Sequence, residues 1–396
     1  MPLLNLPSGI LHRIVERLET KRDTNSFANT NRLLRDVVHT RLYSRAAYGP
    51  PPTLISANIP VENSEFVNRP DVMQWLRHGL SGGSWLALAG LGGIGKTEIA
   101  VQYANEVRRS SSKTHIFWVD VSLFVESYSA IASSLQIPRY QNRHVVRLVF
   151  NWLLDAANGP WVMILDGADN WNDVNRMKPF LPRCDHGSVL VTTRNLDIAE
   201  KLAGRENFHL LPEMTQSEAI ELLQLRLSPR YDGENDRRVE LINALGNIPL
   251  AIVQATTDIE AKFPRLTISK IVENLRQGNK QTYKLLCINN FYISSRPLQR
   301  DHSAAKIWQS VFDLIYHENM EAAKFLSIIG RNSSSKISKK SLSSVVDNLD
   351  EYIKVLRDYL LVTEEPEEDL ITMLPVVQLC VRQWSKKLTF DDDMRG

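Results

Sequence analysis

Hydrophobic and polar positions change their period along this chain of 396 residues. In residues 1–47, Ile10, Leu11, Ile14, Val15 and Leu18 recur at helical spacing behind Ser8, which can cap a helix. Phe27, Leu33, Leu34, Val37, Val38 and Leu42 form a second helical set. The breaker Tyr48-Gly49-Pro50-Pro51-Pro52-Thr53 then predicts a linker over 48–62. Beyond it, short apolar runs alternate with helical patterns. Trp85–Ala89, His115–Asp120, Trp161–Leu165, Ser188–Thr192 and Phe208–Leu211 read as strands, and Lys96–Arg108 and Val145–Leu154 as helices. Continuous apolar runs are what strands buried on both faces look like, so the alternation predicts a parallel α/β sheet. After residue 212 the strands give way to helical patterns at Met214–Leu227, Asp236–Leu245 and Pro249–Lys262. The last section, over 301–390, is helical again. It ends in strand-like runs Leu360–Thr363 and Leu370–Met373 around the acidic turn Glu364-Glu365-Pro366-Glu367-Glu368, a pattern that suits a winged helix. The Ser- and Lys-rich stretch Asn332–Ser344 reads as a solvated loop or the start of a helix.

Composition narrows the class. Hydrophobic residues make up 43%, enough for packed cores, and the length predicts two to four domains. The net charge of +2 carries no basic stripe of the kind that marks nucleic-acid binders, so nucleic acid is not an expected partner. Cys184, Cys287 and Cys380 are too few and too far apart for a disulfide framework or a zinc site, which predicts a reducing compartment. The first residues, Met1-Pro2-Leu3-Leu4-Asn5-Leu6-Pro7-Ser8, lack the basic lead and unbroken apolar run of a signal peptide. No run nears the roughly 20 apolar residues of a membrane span. The expectation is a cytoplasmic protein, or a nuclear one, without membrane partners.

Chemistry concentrates in Gly90-Leu91-Gly92-Gly93-Ile94-Gly95-Lys96-Thr97, which fits G-x-x-x-x-G-K-[ST] between a strand and a helix. Glycines let backbone N–H groups curl around phosphate oxygens, and the helix N-terminus adds partial positive charge. Lys96 supplies a cation for the β- and γ-phosphates, and Thr97 a hydroxyl for Mg²⁺. Asp166 ends the run Trp161–Leu165, where a carboxylate faces the ligand crevice of a parallel sheet. It either holds Mg²⁺ through water and orients Thr97, or caps a helix. The next residue is Gly167, which has no carboxylate to orient a water. Asp169 is the nearest substitute, as weak catalytic base or as cap, so turnover is expected to be slow at most. Arg194, at the end of Gly187–Thr193, either reaches a γ-phosphate or is an exposed strand-end arginine.

Four ordered segments, Gly90–Thr97, Ile164–Asp169, Gly187–Arg194 and Gly246-Asn247-Ile248-Pro249-Leu250-Ala251, resemble the NB-ARC domain. That domain is the nucleotide switch of STAND ATPases such as plant resistance proteins, the apoptosome scaffold and fungal NLR-like proteins. The resemblance covers roughly 60–390. It implies a P-loop NTPase domain with five parallel strands over 63–212, a helical domain over 213–300, a winged helix over 301–390 and a tail over 391–396. It implies ADP or ATP with Mg²⁺ as cofactors. In Phe66-Val67-Asn68-Arg69 it places Val67 and Arg69 at an adenine pocket, with Asn68 where glycine is usual. It makes Arg194 a γ-phosphate sensor and Pro249 the proline that packs on adenine. The implied nucleotide contacts are Val67, Arg69, Gly90, Gly92, Gly93, Ile94, Gly95, Lys96, Thr97, Glu98, Arg194 and Pro249, with Thr97 and Asp166 toward Mg²⁺. Asp166-Gly167-Ala168-Asp169 is similar to the fungal form of the acidic motif. In Met373-Leu374-Pro375, Leu374 stands where the family's ADP-contacting histidine is expected, and leucine cannot donate a hydrogen bond.

The N-terminal unit resembles an F-box. Leu4, Leu6-Pro7, Ile10, Ile14, Leu18, Asp23, Phe27, Asn31-Arg32 and Leu42-Tyr43 fit its Leu-Pro start, short helices and aromatic end. That implies binding to the Skp-type adaptor of an SCF ubiquitin ligase through residues 1–47; a generic helical cap is the competing reading. STAND proteins usually carry a C-terminal repeat sensor, and this chain stops at Gly396: either the sensor is missing, or the protein works with a sensor partner or by self-association, or the chain is a truncated gene product. The resulting functions are an ADP/ATP-binding signalling switch, a slow-turnover ATPase, or an F-box substrate adaptor with a structural nucleotide.

Overall fold

The structure, a computed structural model, describes residues 55–111, 113–137, 145–229, 235–276, 280–287, 303–344 and 346–388. The expected F-box-like unit, residues 48–54 and the expected tail lie outside the described residues. In chain order the first body contains β1 (Ser56–Ala57), α1 (Pro70–Gly79), β2 (Trp85–Ala89), α2 (Lys96–Ser110), β3 (His115–Asp120), α3 (Phe124–Ser134), α4 (Val145–Leu154), β4 (Trp161–Asp166), α5 (Trp171–Met177), β5 (Gly187–Thr193), α6 (Leu196–Ala203) and β6 (Phe208–Leu210). The second contains α7 (Gln216–Arg226), α8 (Asn235–Ala244), α9 (Pro249–Ala261), α10 (Ile268–Arg276), α11 (Lys280–Leu286), α12 (Ala304–Glu318), α13 (Met320–Arg331), β7 (Lys336–Ser338), α14 (Lys339–Ser343), α15 (Leu349–Asp358), β8 (Thr363–Glu365), β9 (Leu370–Thr372) and α16 (Pro375–Ser385).

The first body is a parallel sheet in the order β1-β3-β4-β5-β2-β6. It has six strands rather than the expected five. The addition, Ser56–Ala57, lies inside the expected linker 48–62 and pairs with Ile116 and Phe117. Two residues show no alternation to read. They are held by backbone and side-chain bonds: Ile116 donates its N–H to the Ile55 carbonyl, and Ile55 donates to His115 Nδ1.

Every position of β2, β4 and β5 is buried, as helices on both faces require. Alternate residues feed opposite cores. Ala87, Phe117, Met163 and Val189 pack with Tyr128 and Ile131 of α3, Trp152 of α4 and Ile198 of α6. Leu88, Trp118, Ile164 and Leu190 pack with Met73 and Leu76 of α1 and Ile99 and Tyr103 of α2. This arrangement leaves the C-terminal ends of β2 to β5 at one rim, where parallel sheets bind ligands.

The helices of the second body share one core, and that core also takes in Val67 and Leu91 of the first body. The helical body therefore closes directly on the rim. Farther along, β7, β9 and β8 form an antiparallel three-stranded sheet. Two expectations change here. Asn332–Ser344, read as a loop or the start of a helix, contains strand β7 and helix α14. The strand expected at Leu360–Thr363 begins only at Thr363, because Leu360 turns through a left-handed conformation (φ 58°). The acidic residues read as a turn are partly strand: Lys339 and Arg357 ion-pair with Glu364, and Lys336 with Glu365.

Candidate functional site

The loop leaving β2 turns back into α2 through Gly93 (φ 84°) and Gly95 (φ 103°), conformations that favour glycine. Gly95 caps α2 without a side-chain partner, so the helix's first N–H groups face the rim. Lys96 is 7% exposed, and its Nζ donates to the Gly90 carbonyl at 2.7 Å and to the Leu91 carbonyl at 3.0 Å. Burial, with the nearby Arg194 charge, lowers its pKa to about 7 against the pull of Asp169 and Asp166. A buried ammonium that, among the described residues, hydrogen-bonds to two neutral carbonyls suits an anion.

Thr97 Oγ1 donates to Asp166 Oδ1 at 2.7 Å, and Thr192 Oγ1 donates to the same oxygen at 2.8 Å. Strand order explains the meeting. β4 delivers Asp166, β5 delivers Thr192, and β2 lies on the far side of β5 from β4. Asp120, aligned with Asp166 at the end of β3, also lines the cleft; its Oδ1 accepts the Ser122 N–H and hydroxyl.

Asp169 and Arg194 are committed to each other. Asp169 Oδ1 accepts the Arg194 backbone N–H at 2.7 Å, and Oδ2 lies 3.3 Å from Arg194 Nε. The outer end of the guanidinium reaches α12, donating to the Ile307 carbonyl at 3.2 Å and to Ser310 Oγ at 3.4 Å. The geometry casts Asp169 as the residue that orients Arg194. Asp169 remains part of the cleft lining.

One cleft unites most of the sequence-derived residues. Val67, Arg69, Gly93, Ile94, Gly95, Lys96, Thr97, Glu98, Asp166, Asp169, Arg194 and Pro249 all line it. Gly90 and Gly92, expected among the contacts, do not. Gly90 donates its N–H to the Thr193 carbonyl, and Gly92 is backed by α12. Arg69, 7% exposed, pairs with Glu218 at 3.1 Å and donates to the Pro212 carbonyl, so it fastens the segment before α1 to α7. Asn68 is exposed and not left-handed, so asparagine in place of glycine costs nothing in backbone strain. Leu374 caps α16 and packs on the turn at Gly246; it does not line the cleft.

Reading the sequence missed the partners that the second body brings. Met214, Leu222, Leu250 and Val253 form an apolar wall opposite the loop. Leu250 donates its N–H to the Gly93 carbonyl, and Trp308 Nε1 donates to the Gly92 carbonyl at 2.9 Å. Arg226 pairs with Glu65 and donates to Thr256 and Thr257, tying one lining segment to α7 and α9. No local pattern marks Trp308 as anything but core.

A glycine loop between strand and helix, and a carboxylate supplied by a strand that is not the loop strand's neighbour, define a P-loop NTPase core. Residues 68–232 match the NB-ARC domain. The chain is 27% identical to a nucleotide-binding leucine-rich repeat (NLR)-like protein of Hyaloscypha variabilis, over 85% of this chain and 37% of that protein. It is 28% identical to the regulatory protein AfsR of Streptomyces coelicolor, over 53% of this chain and 22% of that one. The chain thus spans well under half the length of these relatives. Its fold is similar to that of a Walker-type ATPase of Pyrococcus abyssi, with a TM-score of 0.53 and 14% identity over 82% of this chain and 98% of the other. Residues 68–232 thus look like an NB-ARC domain set in a P-loop NTPase fold, and the chain around them is similar to an NLR-like protein. Among the described residues, no helix is long and apolar enough to cross a membrane.

Proposed function

We propose that this chain is an ADP/ATP-binding STAND-type signalling switch that uses Mg²⁺ and turns over slowly. The observation that carries the reading is the buried Lys96 ammonium at the N-terminus of α2, beside a Thr97 hydroxyl already bonded to Asp166. These residues fit a nucleotide's phosphates. Gly93 and Gly95 turn the backbone around the site, the helix end and Lys96 supply positive charge, and the Met214–Leu222–Val253 wall with Pro249 suits a purine. Thr97 and Asp166 would hold Mg²⁺. Among the described residues no group of three His, Cys, Asp or Glu is placed to hold a metal, so the ion would depend on phosphate oxygens and water as well as these two residues. The bound ion would neutralise charge on the terminal phosphates.

Slow turnover follows from Gly167 after Asp166 and from an Asp169 occupied by Arg194. We read β7–β9 with α13, α15 and α16 as a winged helix and, with α12, as the lid of the switch. We further propose that residues 1–47 form an F-box-like unit that binds a Skp-type adaptor, and that the protein works in the cytoplasm. The nucleotide reading is tested by denaturing the purified protein and identifying what it releases. ADP or ATP is expected from the wild type and none from Lys96→Ala. A wild type that releases no nucleotide and binds none on titration would overturn it.

A further inference from the structure

The lid residue that contacts ADP is expected, from the family resemblance, at position 374. Leu374 instead packs on the Gly246 turn together with Val376 and faces no part of the cleft. The loop is gripped elsewhere. The Trp308 side chain is fully buried, and its indole N–H donates to the Gly92 carbonyl at 2.9 Å. A Cβ placed on Gly92 would lie 2.5 Å from Ile307 Cγ2 and 3.4 Å from Trp308 Cδ1, so the first turn of α12 rests on bare backbone.

We infer that Trp308 is a positioning residue of the phosphate loop: by holding the Gly92 carbonyl it aims the Gly93 N–H, and it makes α12 the contact through which the C-terminal helices engage the terminal-phosphate end of the site. A trans peptide is planar, so the Gly92 carbonyl and the Gly93 N–H lie in one plane and point in opposite directions. Fixing the carbonyl on Trp308 therefore fixes the donor on the other side, and Gly93 lines the cleft. The Gly93 carbonyl is pinned in turn by the Leu250 N–H at 3.2 Å, so both edges of this turn are set by the helical body.

This is also the end of the loop where the lysine tip sits. Lys96 Nζ rests on the Gly90 and Leu91 carbonyls, and that ammonium is the group that serves β- and γ-phosphates. Arg194 converges on the same place, held by the Ile307 carbonyl and the Ser310 hydroxyl one turn along α12. A ligand that recruits the guanidinium must draw it from α12, and a ligand that moves the loop must move Trp308.

The inference rests on the reading of the loop as a phosphate cradle, and two measurements separate the two. Trp308→Phe keeps an aromatic ring and removes the donor. Release of a fluorescent ADP is expected to be roughly five- to tenfold faster than in wild type, the effect of losing one buried hydrogen bond, while Leu374→Ala leaves it unchanged. Hydrogen exchange of the Leu250 amide, which donates to the Gly93 carbonyl, is expected to rise in nucleotide-free Trp308→Phe. It should not rise in Phe312→Leu, which removes packing from the same helix but no hydrogen bond to the loop. Unchanged Leu250 exchange in Trp308→Phe, or faster release in Leu374→Ala alone, would overturn the role of Trp308. Failure of the wild type to bind nucleotide would overturn the cradle reading, with the exchange comparison still deciding on Trp308.

Discussion

Lys96 is a cation held almost out of water, with two carbonyls and no carboxylate as hydrogen-bonding partners. Burial brings its pKa from 10.5 down to about 7. A bound phosphate favours the charged form and raises that value again. The complex therefore holds more protons than the free protein at pH above 7, and affinity falls as pH rises, by up to about tenfold per unit. Below 7 the lysine is charged in both states and its contribution is flat. Lys96→Arg keeps its charge throughout, so the difference between wild type and this variant isolates the lysine from the nucleotide's own titration. Calorimetric titration at several pH values checks this; identical pH slopes for the two proteins would count against it. The same lowered pKa means that the empty fold gains stability as pH rises from about 7 toward 10.5. The residues of this site were largely legible in the sequence, because phosphate chemistry needs glycine, lysine and threonine at fixed spacing. Trp308 was not: its partner Gly92 lies 216 positions away, and an indole donor looks like any core tryptophan until the fold brings the two together.

At the scale of elements, the sheet depends on a glycine far from the ligand rim. Gly187 begins β5 opposite Trp161, whose indole donates to the Leu153 carbonyl at 2.8 Å. A Cβ on Gly187 would lie 2.0 Å from Trp161 Cζ2, and that ring is 1% exposed and has no room to retreat. Gly187→Ala is expected to cost about 1–3 kcal/mol of stability as overpacking. Because the strain falls at the N-terminal ends of β4 and β5, nucleotide affinity at low denaturant should stay at the wild-type level. Urea unfolding followed alongside nucleotide titration checks both halves, and an unchanged unfolding midpoint would refute the first. The strands at issue here were the easy ones to read, since burial on both faces writes a continuous apolar run. Ser56–Ala57 was unreadable because two residues carry no period and are recruited by bonds made across to β3, at the backbone and at His115. Strand β7 hid in a polar stretch, for its Ile337 is buried while Lys336 is exposed. Leu360 misled because its apolar side chain says strand, whereas its left-handed backbone makes the turn that precedes one.

At the scale of the whole molecule, the sheet and the helical body build one site between them. The helical core takes in Val67 and Leu91, and α9 and α12 hold successive carbonyls of the loop. The chain enters this assembly at the opposite edge of the sheet. β1 pairs only with β3, and β4 and β5 separate that pair from the loop strand β2. Residues 1–47 precede this edge strand in the chain, across the Gly-Pro-rich segment 48–53. If that unit binds a Skp-type adaptor, binding should be insensitive to the occupancy of the nucleotide site in any direct way. The full chain is expected to capture the purified adaptor. Leu6→Asp with Ile10→Asp, which puts charge on the apolar set proposed to face the adaptor, should abolish capture. Lys96→Ala should capture it as well as wild type. Surface plasmon resonance on the three proteins separates the outcomes. Capture that survives the double aspartate variant would remove residues 1–47 from the interface. Capture lost in Lys96→Ala would show that adaptor binding is gated by the nucleotide.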